Sequence, residues 1–174
     1  MPQKLTCEDY KHLSLAEVHE HLDDLHLELL SLVEQLVQCK VTIEKVTNEG
    51  RINCAKARYI QGQTTVGISK LPTEESQEFN ALVRVEQIKS ESPCADKEFQ
   101  LKRYPIDKEA GFIDPIRWFG VLVPRPLQIT KEKFQSSLEL VIEAANIQVQ
   151  MDSIMVSIKK LKEQKSFLNK LAIK

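Results

Sequence analysis

Apolar residues recur every three or four positions through the first third of the chain. From Leu15 to Val46 they form five successive heptads in which both seam positions are apolar. A period of 3.5 residues keeps such a seam turned toward a partner helix. The pattern predicts a long coiled-coil helix over residues 14–62. The seam residues are Leu15, Val18, Leu22, Leu25, Leu29, Leu32, Leu36, Cys39, Ile43 and Val46.

Polar and small residues suggest where this first helix starts and where it is weakest. Ser14 is one candidate N-cap, and Thr6 with Asp9 would begin an earlier turn. The apolar seam weakens at Gly50 and Asn53. Glycine costs about 1 kcal/mol inside a helix relative to alanine, so we expect a bend or a short break there.

A second apolar repeat begins after Pro124 and Pro126 and runs nearly to the end of the chain. It predicts a second coiled-coil helix over residues 130–174, with Thr130 as its N-cap. Its apolar positions shift from one stripe to another, which predicts a stutter near residue 145. The main seam is Leu140, Ala144, Ile147, Met151, Ile154, Ile158, Leu161 and Leu168, and the adjacent stripe is Phe134, Leu138, Val141 and Ala145.

Charge patterning suggests how the two helices are oriented. Every charged residue between Leu15 and Cys39 is acidic, whereas those from Val156 to Lys174 are almost all lysines. An antiparallel hairpin places the acidic start beside the basic end. The alternative is that both runs are solvated faces matched to the dipoles of their own helices. We therefore predict a mainly α fold, a long antiparallel two-helix coiled-coil hairpin.

The rest of the chain predicts a small head with one or two short strands and a flexible middle loop. Residues 1–13 form an N-terminal extension, and residues 63–113 a variable middle. Within that middle, the alternation over 79–88 predicts a strand, and dispersed charges over 89–111 predict a flexible loop. Residues 114–129 contain the only tryptophan and predict a second strand or an extended plug.

In an antiparallel hairpin, the end of the first helix and the start of the second are neighbours. Trp118 and Phe119 would then either form an ordinary hydrophobic core or offer a docking surface for a partner. Lys56 and Arg58 would either offset the helix dipole or pair with an acidic partner. The predicted core of the head is Tyr59, Ile60, Val83, Val85, Trp118, Phe119, Val121 and Val123.

Composition narrows the classes of function. The 174 residues are 42% hydrophobic and 28% charged, which suits one modest domain. A net charge of -1 and a pI near 6.4 argue against nucleic acid as a partner. The N-terminus lacks the apolar stretch of a signal peptide, and no apolar run exceeds three residues, so we expect no membrane span.

Candidate catalytic chemistry is missing from the sequence. No acid and base pair, phosphate loop or nucleophile motif occurs, so an enzyme is the remotest of the functions considered. The cysteines are too widely spaced for a paired motif and fit a reducing compartment. The histidines lack the spacing of a helical metal site. These residues are Cys7, Cys39, Cys54 and Cys94, and His12, His19, His21 and His26.

Two segments carry a family resemblance. One is Ala55-Lys56-Ala57-Arg58-Tyr59 with Gly62, and the other is Trp118-Phe119-Gly120-Val121-Leu122-Val123-Pro124 followed by Leu127. Together, and in this order, they resemble the family of coiled-coil domain-containing protein 115 and its fungal counterpart, assembly factors of the vacuolar proton-pumping ATPase. The resemblance covers both helices and their junctions, whereas residues 63–113 and the first dozen residues diverge.

The resemblance implies a non-enzymatic, chaperone-like factor that helps to build the membrane sector of the pump and so supports lysosomal acidification. It implies action at the cytosolic face of the endoplasmic reticulum, with the ER-Golgi intermediate compartment and other endomembranes as further locations. The implied partners are a membrane-anchored assembly protein and membrane-sector subunits, with no nucleic acid, small-molecule substrate, cofactor or catalytic residue. The alternative is a generic coiled-coil scaffold or tether, which the heptads support equally well.

Residues of the two motifs are the candidate site. Each is expected to bind the partner or to form the core of the head. They are Lys56, Arg58, Tyr59, Gly62, Trp118, Phe119, Gly120, Val121 and Pro124.

Overall fold

The structure is a computed structural model that describes residues 14–62, 64–88 and 98–172. It is mainly helical, with two long helices, α1 (Leu15–Gln61) and α2 (Arg125–Ala172). Strands β1 (Val83–Ile88) and β2 (Glu98–Arg103) pair in a small antiparallel sheet. The described residues divide into a terminal unit (residues 14–38, 98 and 145–172) and a central unit (residues 39–62, 64–88 and 99–144). The predicted extension over residues 1–13, with Thr6 and Asp9, lies outside the described residues.

Seam residues of both helices form the apolar core of the terminal unit. Val18 on α1 and Leu161 on α2 are fully buried there. Their cluster confirms the predicted contact between the two seams, whereas coiled-coil geometry stays a prediction. The buried members are Val18, Leu22, Leu32, Ile147, Ile154, Ile158 and Leu161, and Leu25, Leu29, Leu36, Met151 and Leu168 pack against them.

A capping box starts α1. The Ser14 Oγ accepts a hydrogen bond from the Glu17 amide over 3.4 Å, and the Glu17 Oε2 accepts one from the Ser14 amide over 2.7 Å. Two amides that the helix leaves unpaired are thereby satisfied. The hydrogen bond from the Ser14 amide lowers the pKa of Glu17. Ser14 is therefore the N-cap that the sequence predicts.

We expect Ser14→Ala to lower the free energy of unfolding by about 1 kcal/mol, because one helix amide loses its partner. Urea unfolding at pH 7 measures this, with the exposed Ser31→Ala on the same helix as a neutral control. The pKa of Glu17 is lower in the folded state, so its contribution is present above the ordinary carboxyl pKa and is lost as the pH falls through the folded one. Wild type and Glu17→Ala should therefore converge in stability in acid, and a constant difference would contradict the capping box.

Contacts between α1 and α2 in the central unit show the relative direction of the two helices. The Cys39 Sγ donates to the Leu140 carbonyl over 3.1 Å. Further along α1, Glu49 pairs with Lys133 over 2.7 Å, and this ion pair lowers the pKa of Glu49. A higher residue number on α1 thus meets a lower one on α2, so the two helices are antiparallel within this unit.

Gly50 lies at a close approach of the two helices. Helix α1 continues through Gly50 and Asn53, so the predicted break is wrong. Gly50 is buried, and a Cβ there would lie 3.3 Å from two ring carbons of Phe134. The Thr130 hydroxyl donates to the Gly50 carbonyl over 3.2 Å. The absence of a side chain at Gly50 lets α2 come this close.

Helix α2 begins at Arg125, earlier than its predicted N-cap Thr130. Thr130 lies inside the helix, where its hydroxyl donates to the Pro126 carbonyl over 2.9 Å. Pro126 occupies the first turn of the helix. Proline is tolerated there because the amide that it lacks has no partner within the helix. The predicted helix start was too late, because Pro126 was expected to precede the helix and instead lies in its first turn.

The middle of the chain has more structure than the sequence predicts. Strand β1 falls inside the predicted range 79–88. Strand β2 lies within 89–111, so the prediction of a flexible loop is wrong for Glu98–Arg103, while residues 89–97 lie outside the described part. The Lys102–Glu86 ion pair joins the strands over 2.9 Å. The tryptophan segment forms a 3-10 helix over Pro115–Phe119, so its prediction as a strand is wrong.

Candidate functional site

The two motif segments meet in the central unit. Ala57, near the end of α1, is fully buried and shares a cluster with Val66 and Leu127. Phe119 and Val123 of the tryptophan segment pack against this cluster, together with Ile116. A direct link comes from Gln61, whose Nε2 donates to the Leu122 carbonyl over 3.3 Å. The structure therefore brings together the segments that the sequence predicts to be neighbours.

Two glycines end the elements that carry the motifs. Gly62 has a φ of 83°, and its amide donates to the Arg58 carbonyl over 2.9 Å at the end of α1. Gly120 has a φ of 120°, and its amide donates to the Arg117 carbonyl over 3.2 Å at the end of the 3-10 helix. Residues with a Cβ are strained in these conformations. The glycines therefore fix where each motif segment turns away from its helix.

Asp114 anchors the 3-10 helix to α2. Its Oδ1 accepts a hydrogen bond from the Ile116 amide over 3.2 Å, as an N-cap does. Its Oδ2 lies 2.6 Å from the Lys131 Nζ, and the Asp114 side chain is largely buried. This role was not predicted from the sequence, although aspartate directly before Pro115 is a typical helix start. This anchor holds the tryptophan segment against the start of α2.

We expect Asp114→Ala to lower the free energy of unfolding by about 2 kcal/mol, because both the cap and the ion pair are lost. Asp114→Asn keeps the cap and should cost about half as much. Urea unfolding measures both values. The control is Glu86→Ala, which breaks an exposed ion pair and should change stability by about 0.5 kcal/mol or less. Equal costs for Asp114→Ala and Glu86→Ala would contradict the anchoring role.

Trp118 is half-buried and packs against a residue before β1. Its ring centroid lies 5.2 Å from that of Phe79, and the two rings meet edge to face. Aromatic pairs in this arrangement contribute about 0.5–1.5 kcal/mol beyond their buried area. Trp118 thus supports the packing of the segment while part of its surface stays accessible to a partner.

Several residues predicted for the core of the head are exposed. Tyr59 is 92% exposed and Val121 100%, and Ile60 and Val85 are also exposed. Leu122, which was not predicted for this core, is 89% exposed. The prediction of Tyr59, Ile60, Val85 and Val121 as core is therefore wrong. Because a helix turns about 100° per residue, the position two after the buried Ala57 lies on the opposite side of α1. The cluster of Ala57, Val66 and Leu127 forms the core instead.

The same two segments also carry exposed cations. Lys56, Arg58, Arg117 and Arg125 are all exposed. Residues 51–62 and 115–128 contain no aspartate or glutamate. We define the motif surface as Tyr59, Ile60, Val121 and Leu122 with these four cations. Exposed apolar side chains in segments that also carry positive charge suit a partner with an apolar surface bordered by carboxylates.

Comparison with known proteins tests the family resemblance. No protein-family model matches the chain. The chain is 29% identical over 159 residues to a protein of Mus musculus, covering 80% of this chain and 88% of the relative. It is 28% identical to a protein of Homo sapiens over 160 residues, with the same coverage. Both relatives are named Vacuolar ATPase assembly protein VMA22. The predicted resemblance to vacuolar ATPase assembly factors is confirmed.

The similarity to these assembly proteins extends well beyond the two motifs. A relative from Bos taurus with the same name is 27% identical over 151 residues, covering 76% of this chain and 84% of the relative. Coverage of this extent includes far more of the chain than the two motif segments. The similarity to vacuolar ATPase assembly proteins therefore covers most of the chain.

The described residues were also compared with the requirements of metal sites and membrane spans. Among residues 14–62, 64–88 and 98–172, no group of three or more His, Cys, Asp or Glu side chains is placed to hold a metal ion. In the same ranges, no helix has the length and apolar character needed to cross a membrane. Cys39 is buried, and this burial raises the pKa of its thiol. Cys7, Cys94 and His12 lie outside the described residues.

Proposed function

We propose that this chain is a non-enzymatic assembly factor of the vacuolar proton-translocating ATPase. The observation that carries this proposal is the similarity to Vacuolar ATPase assembly protein VMA22 of three mammals over at least 76% of this chain. The motif surface supports it, because an assembly factor acts by binding. Exposed aliphatic side chains in segments that also carry exposed cations are suited to recognising another protein.

Within this role, we propose that the chain helps to build the membrane sector of the pump. It would act in a chaperone-like way at the cytosolic face of the endoplasmic reticulum, as the soluble partner of a membrane-anchored assembly protein. The family resemblance of the paired motifs supports these details. The antiparallel contacts within the central unit support a coiled-coil hairpin as the scaffold that presents the motif surface.

The motif surface is the proposed contact with the partner. Burying one valine or leucine side chain contributes about 1.5–3 kcal/mol, so Val121 and Leu122 could supply a large part of a specific affinity. Lys56 and Arg58 would pair with carboxylates of the partner, and such pairs mainly set orientation and specificity. Trp118 and Asp114 would hold the tryptophan segment in place through their contacts with Phe79 and Lys131.

A generic scaffold or tether is the alternative function, since long apolar seams alone are common to many coiled-coil proteins. Affinity purification of the full-length tagged chain from its own cells separates the two functions. The assembly proposal predicts recovery of a membrane-anchored protein together with membrane-sector subunits of the pump, without the subunits of the finished enzyme's catalytic sector. Recovery of only this chain or of unrelated tethering proteins would contradict it.

A further inference from the structure

Helix α1 has a second apolar stripe in the terminal unit that is separate from its seam. Leu27 and Leu30 are 67% and 65% exposed, and Val33 and Val37 are also exposed. These four residues are spaced by three and four positions, so they share one side of the helix. We call them the outer stripe.

The outer stripe lies away from α2. A helix turns about 100° per residue, which places the centre of the outer stripe about a third of the circumference from the seam. The seam residues Leu25, Leu29, Leu32 and Leu36 belong to the cluster shared with α2. A helix that is apolar on two sides is typical of one that packs against two neighbours. Helix α2 packs against the seam side of α1, whereas the outer stripe is exposed and can contact another helix.

Charge identifies the chemistry of that helix. Asp23 and Glu34 are exposed and lie four positions before Leu27 and four after Leu30, on the same side of α1. The residues between Leu15 and Cys39 include no lysine or arginine. Opposite charges beside an apolar seam set partner choice and orientation in helix pairs. A helix with lysines or arginines beside its own apolar seam would complement this surface.

The same charges disfavour two other occupants. Pairing the outer stripe with its copy on a second chain would bring acidic residues together with no basic residue on that stretch to offset them. An anionic membrane surface attracts basic segments and would be repelled by this acidic one.

We propose that Leu27, Leu30, Val33 and Val37 bind a basic amphipathic helix of a partner protein. This second docking surface is independent of the motif surface, and the inference does not rest on the proposed function.

Two designed peptides test this inference on the full-length protein. Both are three-heptad helices with leucine at the seam positions, one with lysine and one with glutamate at the flanking positions. The protein used carries Val121→Ser and Leu122→Ser, so that the motif surface does not bind the glutamate peptide. Fluorescence anisotropy should then show binding of the lysine peptide and binding about tenfold or more weaker for the glutamate peptide. The triple variant Leu27→Ser, Leu30→Ser, Val37→Ser should weaken binding of the lysine peptide by about tenfold or more.

The matched control is Phe167→Ser, which removes an exposed apolar side chain from α2 in the same unit. It should leave peptide binding unchanged. Circular dichroism should show wild-type helix content in the triple variant, because the altered residues are exposed. Equal binding of both peptides, or undiminished binding by the folded triple variant, would overturn the inference. So would light scattering that shows a wild-type dimer which the triple variant converts to a monomer.

Discussion

Replacing Val121 and Leu122 together with serine should remove binding to the assembly partner while leaving the fold unchanged. Both side chains are almost fully exposed, so they contribute nothing to the core of the central unit. If a partner buries them, each contributes about 1.5–3 kcal/mol to binding. Losing about 3 kcal/mol corresponds to a roughly 100-fold weaker Kd. Quantitative affinity purification and urea unfolding of the same variant measure the two effects separately.

The control for this double variant is Ile106→Ser, which removes an exposed aliphatic residue from the same unit outside both motif segments. It should bind the partner like the wild type. A complementary variant is Arg58→Glu in the otherwise wild-type chain, which reverses one charge of the motif surface. It should weaken partner binding, and the loss should be largest at low salt, where charges are least screened. Wild-type recovery of partners by the Val121→Ser, Leu122→Ser variant would show that the motif surface is not the docking site.

The second large effect is expected at Leu161, at the centre of the terminal unit. Leu161 is fully buried in the cluster that joins the seams of α1 and α2. Replacing a buried leucine with alanine removes apolar contacts and leaves a cavity, which costs about 2–5 kcal/mol. We therefore expect Leu161→Ala to lower the free energy of unfolding by about 3 kcal/mol in urea.

Phe167→Ala provides the comparison for Leu161→Ala, because Phe167 is an exposed apolar residue on the same helix. It should change stability by about 0.5 kcal/mol or less. A similarly small effect of Leu161→Ala would mean that the α1 and α2 seams do not form the core of this unit in solution.

The helices could be predicted from the sequence because their signal is periodic and local. Seam positions such as Val18, Leu22 and Ile154 are buried where the heptads place them. The N-cap at Ser14 follows from the same local chemistry, since the capping partner Glu17 lies three residues away. Periodicity and capping involve neighbours in the chain, so they need no knowledge of tertiary contacts.

The outer stripe was not predicted, although Leu27 and Leu30 stand in the sequence beside the seam residues. A heptad pattern identifies the strongest stripe, and a second stripe becomes informative only when the first is known to be covered. Exposure in the structure supplied that information. The sequence likewise did not reveal whether Ala57 or Tyr59 faces α2.

Features fixed by distant residues were harder to predict. Strand β2 lies in a charged stretch, and its pairing with β1 includes the Lys102–Glu86 ion pair, which short-range patterns do not reveal. The anchor between Asp114 and Lys131 joins two elements across 17 positions, which is beyond the reach of capping and periodicity patterns. Gly50 looked like a weak point in the helix because Phe134, which packs against it, lies on α2.

We propose that this chain helps to build a proton pump without becoming part of it. The direct measurement is the amount of assembled membrane sector in cells that lack the chain, resolved by native gel electrophoresis of solubilised membranes. We predict that the assembled sector is strongly depleted, that the wild-type chain restores it, and that the Val121→Ser, Leu122→Ser variant does not. Normal amounts of assembled membrane sector in cells without the chain would contradict the account.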